Sequence, residues 1–296
     1  MKMSSILFTL KYGVGNVVQS IPAYLNIKEK HDVRLVYEPI FKTDSVARAK
    51  FFPDHVEEMN IVDVSNLSKK MDYEVNIPYG IVAVKGEDFH REVLDDLSEA
   101  QSEVERSMVY CRHLGCSTDI KRDSVPVRHL DGWDDRKYVI IHNGSLGVDS
   151  WRMKKYPLME RLVLLIKKEL GLECASIGSK EEYVKGTVDL TGKEMMESAW
   201  HIKNSRFYVG TDSGMYHVAG YLEVPGVVLF TATSPTKNWD KRFHHTITPI
   251  KTTGCKYGQW GYHWHPHCAK CREGALYHPC QTIDPHEILE TIAGRL

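Results

Sequence analysis

The sequence predicts an α/β protein with two doubly wound parallel sheets in tandem. Short apolar segments typical of buried strands alternate with segments of helical periodicity over residues 4–114, and the alternation restarts over residues 138–230. The length of 296 residues fits two domains, and 42% hydrophobic with 26% charged residues is a globular composition. Between residues 115 and 136 the periodicity lapses, which predicts a linker and domains 1–130 and 131–296.

Each element follows from its own pattern. Val18, Ile21 and Leu25 recur at helical spacing after the first apolar run, and Pro157 opens a helix in the second half. The predicted strands are 4–10, 33–37, 61–64, 138–142, 173–177, 206–209 and 227–230. The predicted helices are 17–30, 46–52, 88–114, 157–170, 194–202 and 214–221.

Composition and charge exclude several classes of protein. No apolar run approaches the ~18 residues of a membrane-spanning helix, and the opening residues do not form a secretory signal. A formal charge of -1 leaves any nucleic-acid or membrane binding to a local patch. The odd count of seven cysteines favours a metal clip in a reducing compartment over a disulfide scaffold, and predicts a cytoplasmic protein.

A glycine-containing loop joins the first predicted strand to the first helix. Gly13 and Gly15 would let the backbone approach a ligand at a helix N-terminus, where anions are favoured. The third glycine of a dinucleotide fingerprint is replaced by Val18, and no P-loop lysine follows. A tight turn without a ligand is therefore an equal alternative for this loop taken alone.

A polar loop between the strand at 206–209 and its helix is a stronger signal. Thr211, Asp212 and Ser213 can surround an anion such as a diphosphate together with the free N–H groups of the helix. Helix capping alone would also explain these residues. His217 lies on the same first turn, however, and a second polar loop carrying Thr233 follows the next strand. Two converging polar loops favour a phosphate site.

Short motifs also follow one another in a fixed order along most of the chain. They are Gly-Asn-Val-Val-Gln-Ser-Ile-Pro at 15–22, His-Asn-Gly-Ser at 142–145, Lys-Lys-Tyr-Pro at 154–157, Gly-Ser-Lys-Glu-Glu at 178–182, Asp-Leu-Thr-Gly at 189–192, Gly-Thr-Asp-Ser-Gly-Met-Tyr-His at 210–217 and Cys-Gln-Thr-Ile-Asp-Pro at 280–285. Their order and spacing resemble glycosyltransferase family 9, the heptosyltransferase-like enzymes. The resemblance implies a GT-B fold, in which two Rossmann-like domains face each other across a cleft, with a nucleotide-sugar donor in the second domain.

The resemblance also implies roles for individual residues. Lys154 and Asp212 are assigned to catalysis, Lys154 as the cation that neutralises the leaving phosphate, and Glu182 lies beside the ribose or base. The predicted donor-binding residues are Gly13, Gly15, Asn143, Ser145, Glu182, Thr211, Ser213, Gly214, Met215, His217 and Thr233. Helix N-termini and one lysine supply the positive potential that a departing nucleoside diphosphate needs, so no catalytic divalent metal is expected.

The position of the expected general base departs from the family pattern. Many members carry Asp where this chain has Asn16, and an amide cannot accept the acceptor's proton near neutral pH. Glu38 and Asp44 follow the second predicted strand and are alternative candidates, although each can equally be a surface carboxylate. A loss of catalytic activity is a third interpretation.

Four cysteines near the C-terminus predict a metal site. Cys255, Cys268, Cys271 and Cys280 include one Cys-x-x-Cys knuckle, a pattern typical of tetrahedral thiolate ligation of zinc, with iron as the alternative. Because histidines lie nearby in the sequence, a histidine in place of one cysteine ligand is an alternative. Four protein ligands would fill the coordination sphere, so we expect a structural metal in a small insertion.

The segment that contains these cysteines is basic and aromatic. Residues 237–281 hold seven Lys/Arg against two Asp/Glu, interleaved with Trp, Tyr and Phe. Such a pattern can bind phosphates and stack on bases, or it can pack a small metal-held subdomain that lacks a large core.

Together these features predict an inverting glycosyltransferase, with inversion implied by the resemblance alone. Its partners would be a nucleotide sugar and a hydroxyl acceptor, either a surface glycan or a hydroxymethylated DNA base. A non-catalytic nucleotide-sugar or nucleic-acid binding protein and a nucleotide-sugar epimerase are the alternatives.

Overall fold

In the computed structural model the chain forms two compact units, Met1–Pro126 and Val127–Leu296, and each unit has its own sheet. The structure describes residues 3–10, 13–37, 54, 56–58, 69–77, 80–82, 93, 96–97, 100, 102–124, 137–144, 154–251 and 279–296. No helix within these ranges is long and apolar enough to cross a bilayer.

The sheet of the first unit has the strand order β3-β2-β1-β4-β5. Its strands are β1 (Ser5–Leu10), β2 (Asp32–Tyr37), β3 (Glu57–Glu58), β4 (Tyr73–Ile77) and β5 (Gly80–Val82). β1 pairs in parallel with β2 and β4, whereas β4 and β5 are antiparallel. β1 is buried from its second residue onward, as expected of a central strand covered on both faces.

Helices α1 (Val14–Lys28) and α2 (Glu103–His113) pack against each other in this unit. The predicted continuous helix over 88–114 is wrong, because Ser102 adopts an extended backbone with φ -129°. Its Oγ accepts a hydrogen bond from the Glu105 amide at 3.1 Å, so Ser102 is an N-cap at which a new helix begins. The predicted elements at 46–52 and 61–64 lie largely or wholly outside the described residues.

The second unit contains a parallel six-stranded sheet with the order β11-β10-β9-β6-β7-β8. Its strands are β6 (Tyr138–His142), β7 (Glu173–Ser176), β8 (Val188–Asp189), β9 (Phe207–Thr211), β10 (Gly226–Phe230) and β11 (Ile247–Lys251). β9 and β10 are buried along their whole length. The prediction of an α/β protein with parallel sheets is confirmed for the second unit, whereas the antiparallel pair β4–β5 in the first unit was not predicted.

Five described α-helices accompany this sheet. They are α3 (Met159–Leu165), α4 (Met195–Lys203), α5 (Gly214–Tyr221), α6 (Pro235–Asn238) and α7 (Pro285–Ala293). α3 continues as a π-helical turn over Ile166–Leu170 and stops at Gly171, whose φ of 66° favours glycine. α7 packs on α3 and adds Ile288, Leu289 and Ile292 to the core of the unit.

The strand order of the second sheet reverses between β6 and β9. From β6 the chain builds outward through β7 and β8, and it then returns to place β9, β10 and β11 on the other side. Ligands of doubly wound sheets bind beyond the carboxyl ends of the strands at such a reversal. The segments that follow β6, β7, β9 and β10 emerge at this edge.

Candidate functional site

Polar segments from neighbouring strands are tied together at the carboxyl edge of the second sheet. Thr211 Oγ1 donates to the Gly144 carbonyl at 3.1 Å, which joins the end of β9 to the segment after β6. The Asp212 amide donates to the Leu229 carbonyl at 3.3 Å, which joins the same segment to β10. Rigid strand ends therefore hold the loops that carry the predicted donor residues.

A buried ion pair lies at the centre of this edge. Lys154 Nζ is 3.0 Å from Asp212 Oδ2, and their side chains are only 10% and 5% exposed. The same carboxylate oxygen accepts from Thr233 Oγ1 at 2.6 Å and from Asn238 Nδ2 at 3.3 Å. Thr231 Oγ1 donates to the Lys154 carbonyl at 2.9 Å. The loop after β10 thus fixes both members of the pair.

This arrangement prepares a cation for binding an anion. A buried ion pair needs further hydrogen bonds to offset the loss of hydration, and Asp212 has them from two side chains. The Lys154 ammonium is held in one place in a poorly solvated environment, where its attraction for a phosphate exceeds that of an exposed lysine. In the described structure the Asp212 carboxylate contacts the Lys154 ammonium and the side chains of Thr233 and Asn238.

A second buried polar chain connects the segments after β6, β7 and β9. His142 Nδ1 is 2.9 Å from Ser213 Oγ, and His142 Nε2 is 3.5 Å from Glu182 Oε2. The imidazole is 6% exposed and the Glu182 side chain 4% exposed. His142 links the residue expected near the nucleoside to a residue of the predicted diphosphate loop. His142 was not predicted as a site residue, although it is the last residue of a predicted strand.

The turn after β7 shapes the position of Glu182. Glu182 Oε2 accepts from the Ser179 amide at 2.7 Å, as part of a capping box around a short 3-10 helix. Gly178 has a φ of 114°, and a Cβ at this position would lie 2.3 Å from Glu182 Oε2. A side chain is therefore excluded at Gly178 both by the backbone conformation and by the carboxylate.

The N-terminus of α5 carries the predicted diphosphate loop. Ser213 occupies the N-cap position, but its side chain makes no capping hydrogen bond and contacts His142 instead. The sequence-based interpretation of Ser213 as a capping side chain is therefore wrong. Gly214 is the first residue of α5, and Met215 is buried at 7% exposure. The positive end of the helix dipole lies beside the Lys154–Asp212 pair, and such a helix end favours a bound anion.

His217, on the first turn of α5, belongs to a buried cluster of rings. Its Nδ1 is 2.9 Å from His244 Nε2, and Tyr216 stacks against both imidazoles. Burial, with contributions from His244 and the Lys154 ammonium, holds the pKa of His217 well below its ordinary value. Neutral histidine is consequently the form present near pH 7. His244 was not identified from the sequence.

Among the other predicted site residues, Asn143 is described by the structure, whereas three lie outside the described residues. Asn143 uses its side chain structurally, because its amide donates to the Tyr156 carbonyl at 3.0 Å and its oxygen accepts from the Tyr156 amide at 2.8 Å. These bonds hold the loop after β6 against the segment that carries Lys154. Ser145, Glu38 and Asp44 lie outside the described residues.

The glycine loop of the first unit is described from Gly13 onward. Gly13 is the N-cap of α1, in open space with no neighbour that a Cβ would meet, and Gly15 is buried within the helix. Asn16 is half-buried on the first turn, and its backbone N–H donates to the Gly13 carbonyl at 3.0 Å. A carboxylate to replace the expected base is not identified among the described residues of this loop.

The predicted metal site falls largely outside the described residues. Cys255, Cys268 and Cys271 are not described, whereas Cys280 is buried and follows directly on Pro279 in a short 3-10 helix. The described ranges contain no group of three or more His, Cys, Asp or Glu side chains arranged to hold a metal ion. The four-cysteine site stays a prediction.

Sequence comparison identifies a family in the second unit. Residues 131–255 match the family model for "Glycosyltransferase family 9 (heptosyltransferase)", and these residues carry Lys154, Glu182 and the loop of Asp212. The family resemblance that the motifs indicate is confirmed. No curated protein matches the chain by sequence.

Solved structures extend the likeness to the whole fold. A glycosyltransferase of family 9 from Veillonella parvula superposes with a TM-score of 0.66 at 13% identity, covering 99% of this chain and 97% of its own. The heptosyltransferase WaaC from E. coli, solved with ADP, gives 0.60 at 12% identity, covering 99% and 100%. TibC, an iron-containing heptosyltransferase from enterotoxigenic E. coli solved with ADP-D-beta-D-heptose, gives 0.64 at 15% identity, covering 100% and 77%. These likenesses establish the fold.

Proposed function

We propose that this chain, whose residues 131–255 match the model of glycosyltransferase family 9, transfers a sugar from a nucleoside diphosphate sugar to an acceptor hydroxyl with inversion at the anomeric carbon. The observation that carries the proposal is the Lys154 ammonium, held 3.0 Å from the Asp212 carboxylate beside the N-terminus of α5. A cation next to a helix N-terminus is what a departing diphosphate requires.

In this proposal, the second unit binds the donor and stabilises the leaving group. As the glycosidic bond to the donor breaks, negative charge develops on the β-phosphate oxygen, and Lys154 and the amides at the start of α5 stabilise it. These groups are positioned before the reaction, so little reorganisation is needed when the charge appears. Asp212, Thr233 and Asn238 keep the ammonium in place.

Glu182 is proposed to bind the ribose hydroxyls of the donor nucleotide. Its carboxylate is buried, and its Oε2 is fixed by the Ser179 amide at 2.7 Å with His142 Nε2 at 3.5 Å. A carboxylate held in this way accepts hydrogen bonds from vicinal hydroxyls. The WaaC structure was solved with ADP and the TibC structure with ADP-D-beta-D-heptose, so adenosine diphosphate sugars are the first donors to test.

The first unit is proposed to bind the acceptor, which is a surface glycan or a hydroxymethylated base in DNA. The resemblance to the family favours a glycan in the first unit, whereas the seven Lys/Arg and the aromatic residues of 237–281, which belong to the second unit, favour additional contacts with DNA. The proton of the acceptor hydroxyl must reach a base other than the Asn16 amide, and Glu38 and Asp44 are the proposed candidates.

The four cysteines are proposed to hold a structural zinc or iron ion. The odd count of seven cysteines, four of them in the last 42 residues, supports the proposed reducing, cytoplasmic compartment. TibC is an iron-containing heptosyltransferase, so iron is tested beside zinc. Four thiolate ligands would leave no open position for catalysis.

One experiment tests the proposed function. The purified protein is incubated with ADP- and UDP-linked sugars, each with a glycan acceptor or a hydroxymethylated DNA duplex, and the products are read by mass spectrometry. A mass increase of one sugar on either acceptor supports transfer. Transfer to DNA should fall steeply as salt rises, whereas transfer to a neutral glycan should not.

A non-catalytic binding protein is the second candidate, and the amide at Asn16 is the observation that favours it. Binding of a nucleotide sugar without transfer or hydrolysis would support this candidate and contradict the proposed transferase. Conversion of the donor sugar without any acceptor would instead identify an epimerase.

A further inference from the structure

Ser213 has the backbone conformation of a helix-capping residue, but its side chain does not cap α5. Its φ of -153° and ψ of 172° are extended, as an N-cap requires. Two other serines with an extended backbone do cap their helices, since Ser102 Oγ accepts from an amide at 3.1 Å and Ser234 Oγ accepts from one at 3.3 Å. The Ser213 hydroxyl lies instead 2.9 Å from His142 Nδ1. The backbone of Ser213 thus permits a cap that the side chain does not make.

Packing holds the His142 ring in its position. The imidazole is 6% exposed, and its Nε2 lies 3.5 Å from Glu182 Oε2. A Cβ on Gly144 would lie 2.2 Å from His142 Cε1, and a Cβ on Gly178 would lie 3.0 Å from His142 Cδ2. The loops after β6 and β7 therefore leave room for the ring because both positions are glycine. A serine hydroxyl can donate or accept, so the contact with Ser213 forms whichever nitrogen of the ring carries the proton.

The contact with His142 leaves the first turn of α5 without a side-chain cap. The first amides of a helix have no partner inside the helix, and a serine at the N-cap usually accepts from the second or third of them. In α5 these are the amides of Met215 and Tyr216, and the Ser213 side chain bonds to neither. Ser213 and Gly214 are half-buried, so the start of the helix reaches the surface of the unit.

A buried hydroxyl at the same edge of the sheet also lacks an acceptor. Tyr208 on β9 is fully buried, and a Cβ on Gly210 would lie 2.3 Å from its Oη, so its side chain extends towards the carboxyl end of the strand. Burial raises the pKa of this hydroxyl, and Ser213, Glu182 and Asp212 are near enough to contribute. Among the described residues Tyr208 Oη nevertheless has no hydrogen-bond partner of good geometry. A buried donor without an acceptor is unfavourable, which indicates, independently of the helix end, that a ligand oxygen completes this edge.

We infer that His142 is a positioning residue that withholds the Ser213 hydroxyl from α5 and so keeps the amides of Met215 and Tyr216 open to the diphosphate of the donor. This inference rests on the proposed function, which assigns the diphosphate to this helix end. A hydroxyl that capped α5 would occupy an amide that the phosphate oxygens need, and the ligand would have to displace it. A serine cap is strong enough to weaken binding about fivefold.

Two substitutions separate the contacts of His142. The side-chain amide of His142→Asn reaches about as far as Nδ1 and can still bond to Ser213. The amide of His142→Gln reaches about as far as Nε2, so it can contact Glu182 but releases Ser213. We expect the Kd for ADP, measured by calorimetry, to rise about fivefold in His142→Gln and less in His142→Asn. A larger loss of affinity in His142→Asn would overturn the inference, because the contact with Glu182 would then be the important one.

Removal of the released hydroxyl is the sharpest test. Adding Ser213→Ala to His142→Gln abolishes the cap, so the double variant should bind ADP about threefold or more tightly than His142→Gln does. A merely structural role of His142 would not produce this gain, because a second substitution beside the first would then deepen the loss. Equal or weaker binding by the double variant would overturn the inference.

Amide hydrogen exchange in the ligand-free protein reports the cap directly. We expect the Met215 and Tyr216 amides to exchange faster in the wild-type protein than in His142→Gln, and the added protection to disappear in the double variant. Equal exchange in the wild-type protein and His142→Gln would overturn the inference. If His142→Gln does not fold, the wild-type protein decides: protection of both amides only after ADP is added supports the inference, and protection before it overturns it.

The same measurements distinguish this inference from the proposed function. If exchange responds to the variants as expected but the wild-type protein does not bind ADP, the proposed function is contradicted, whereas the action of His142 on Ser213 stands.

Discussion

At the scale of the residue, the pair formed by Lys154 and Asp212 is the most testable feature of the site. We expect Lys154→Ala and Asp212→Ala each to lower turnover by at least about 10²-fold, because each removes the fixed cation at the leaving phosphate or frees it to move. Lys155→Ala is the matched control, since the ammonium of this neighbouring lysine lies at the surface and donates to the Glu181 carbonyl at 3.4 Å. Steady-state rates on the best donor measure the effect.

The double variant separates the role of the pair in catalysis from its role in folding. Removing one partner leaves the other charge buried and uncompensated, which costs about 3–5 kcal/mol, whereas removing both leaves no such charge. The Lys154→Ala/Asp212→Ala protein should therefore be more stable to urea than either single variant and still be inactive. Recovery of turnover together with stability would mean that the pair serves folding alone.

The lowered pKa of His217 predicts a pH dependence of stability. The unfolded chain protonates this histidine near its ordinary pKa of ~6.5, while the folded protein does not. The unfolded state thus binds more protons below pH 6.5, and the free energy of unfolding falls as the pH decreases, by up to about 1.4 kcal/mol per pH unit. Urea unfolding between pH 7 and 5 should show a smaller decline in His217→Asn, and equal slopes would contradict the assignment.

Site residues that lie in polar loop motifs could be predicted from the sequence. The histidines that contact site residues could not. Lys154, Asp212 and Thr233 were identified from the sequence, and the structure brings all three together. His142 and His244 were missed because each acts on a residue far along the chain. His142 is separated from Ser213 by 71 positions and His244 from His217 by 27, and no local pattern encodes such a meeting.

At the scale of the element, the bounds of helices and strands were predicted well where a clear hydrophobic pattern is flanked by turn residues. The helix at 214–221 agrees residue for residue with α5, and the predicted strand at 4–10 differs from β1 by one residue. β4, β11 and α7 were not predicted from the sequence. β11 contains a proline and is only partly buried, so its composition is weak evidence for a strand. The break at Ser102 was missed because the apolar stripe continues across it.

The turn after β7 gives a prediction at this scale. Gly178→Ala should weaken nucleotide binding and lower stability, because a Cβ would meet the Glu182 carboxylate at 2.3 Å in addition to straining a backbone with φ 114°. Gly186→Ala is the control, with a comparable φ of 89° and its nearest neighbour at 3.8 Å. We expect the control to lose about 1 kcal/mol of stability through strain and to keep its nucleotide affinity.

Urea unfolding and nucleotide titration of both variants measure this difference. Equal losses in the two proteins would mean that backbone strain alone matters and that the position of Glu182 is not critical. A loss of affinity confined to Gly178→Ala would support the proposed contact of Glu182 with the donor.

At the scale of the whole molecule, both units are built from strands that alternate with helices. The first unit has a five-stranded sheet and the second a six-stranded sheet. The alternation of strands and helices could be predicted from the sequence because parallel strands are apolar along their length. The order of the strands within each sheet could not be predicted. β1 pairs with β4 and β6 with β9, and these strands are far apart in the sequence. The position of the predicted donor loops beside the reversal of strand order agrees with the clearest motifs lying in the second unit.

The C-terminal cysteines provide a prediction for the stability of the protein. Cys268→Ser should lower bound metal, measured by elemental mass spectrometry, and the midpoint of thermal unfolding together, because metal binding is coupled to folding. Cys174→Ser is the control, since burial raises the pKa of this thiol to about 12 and keeps it protonated and unsuited to ligation. The control should keep its full metal content. A protein purified without metal that unfolds at the same temperature as the metal-bound form would refute a structural ion, whatever the identity of the metal.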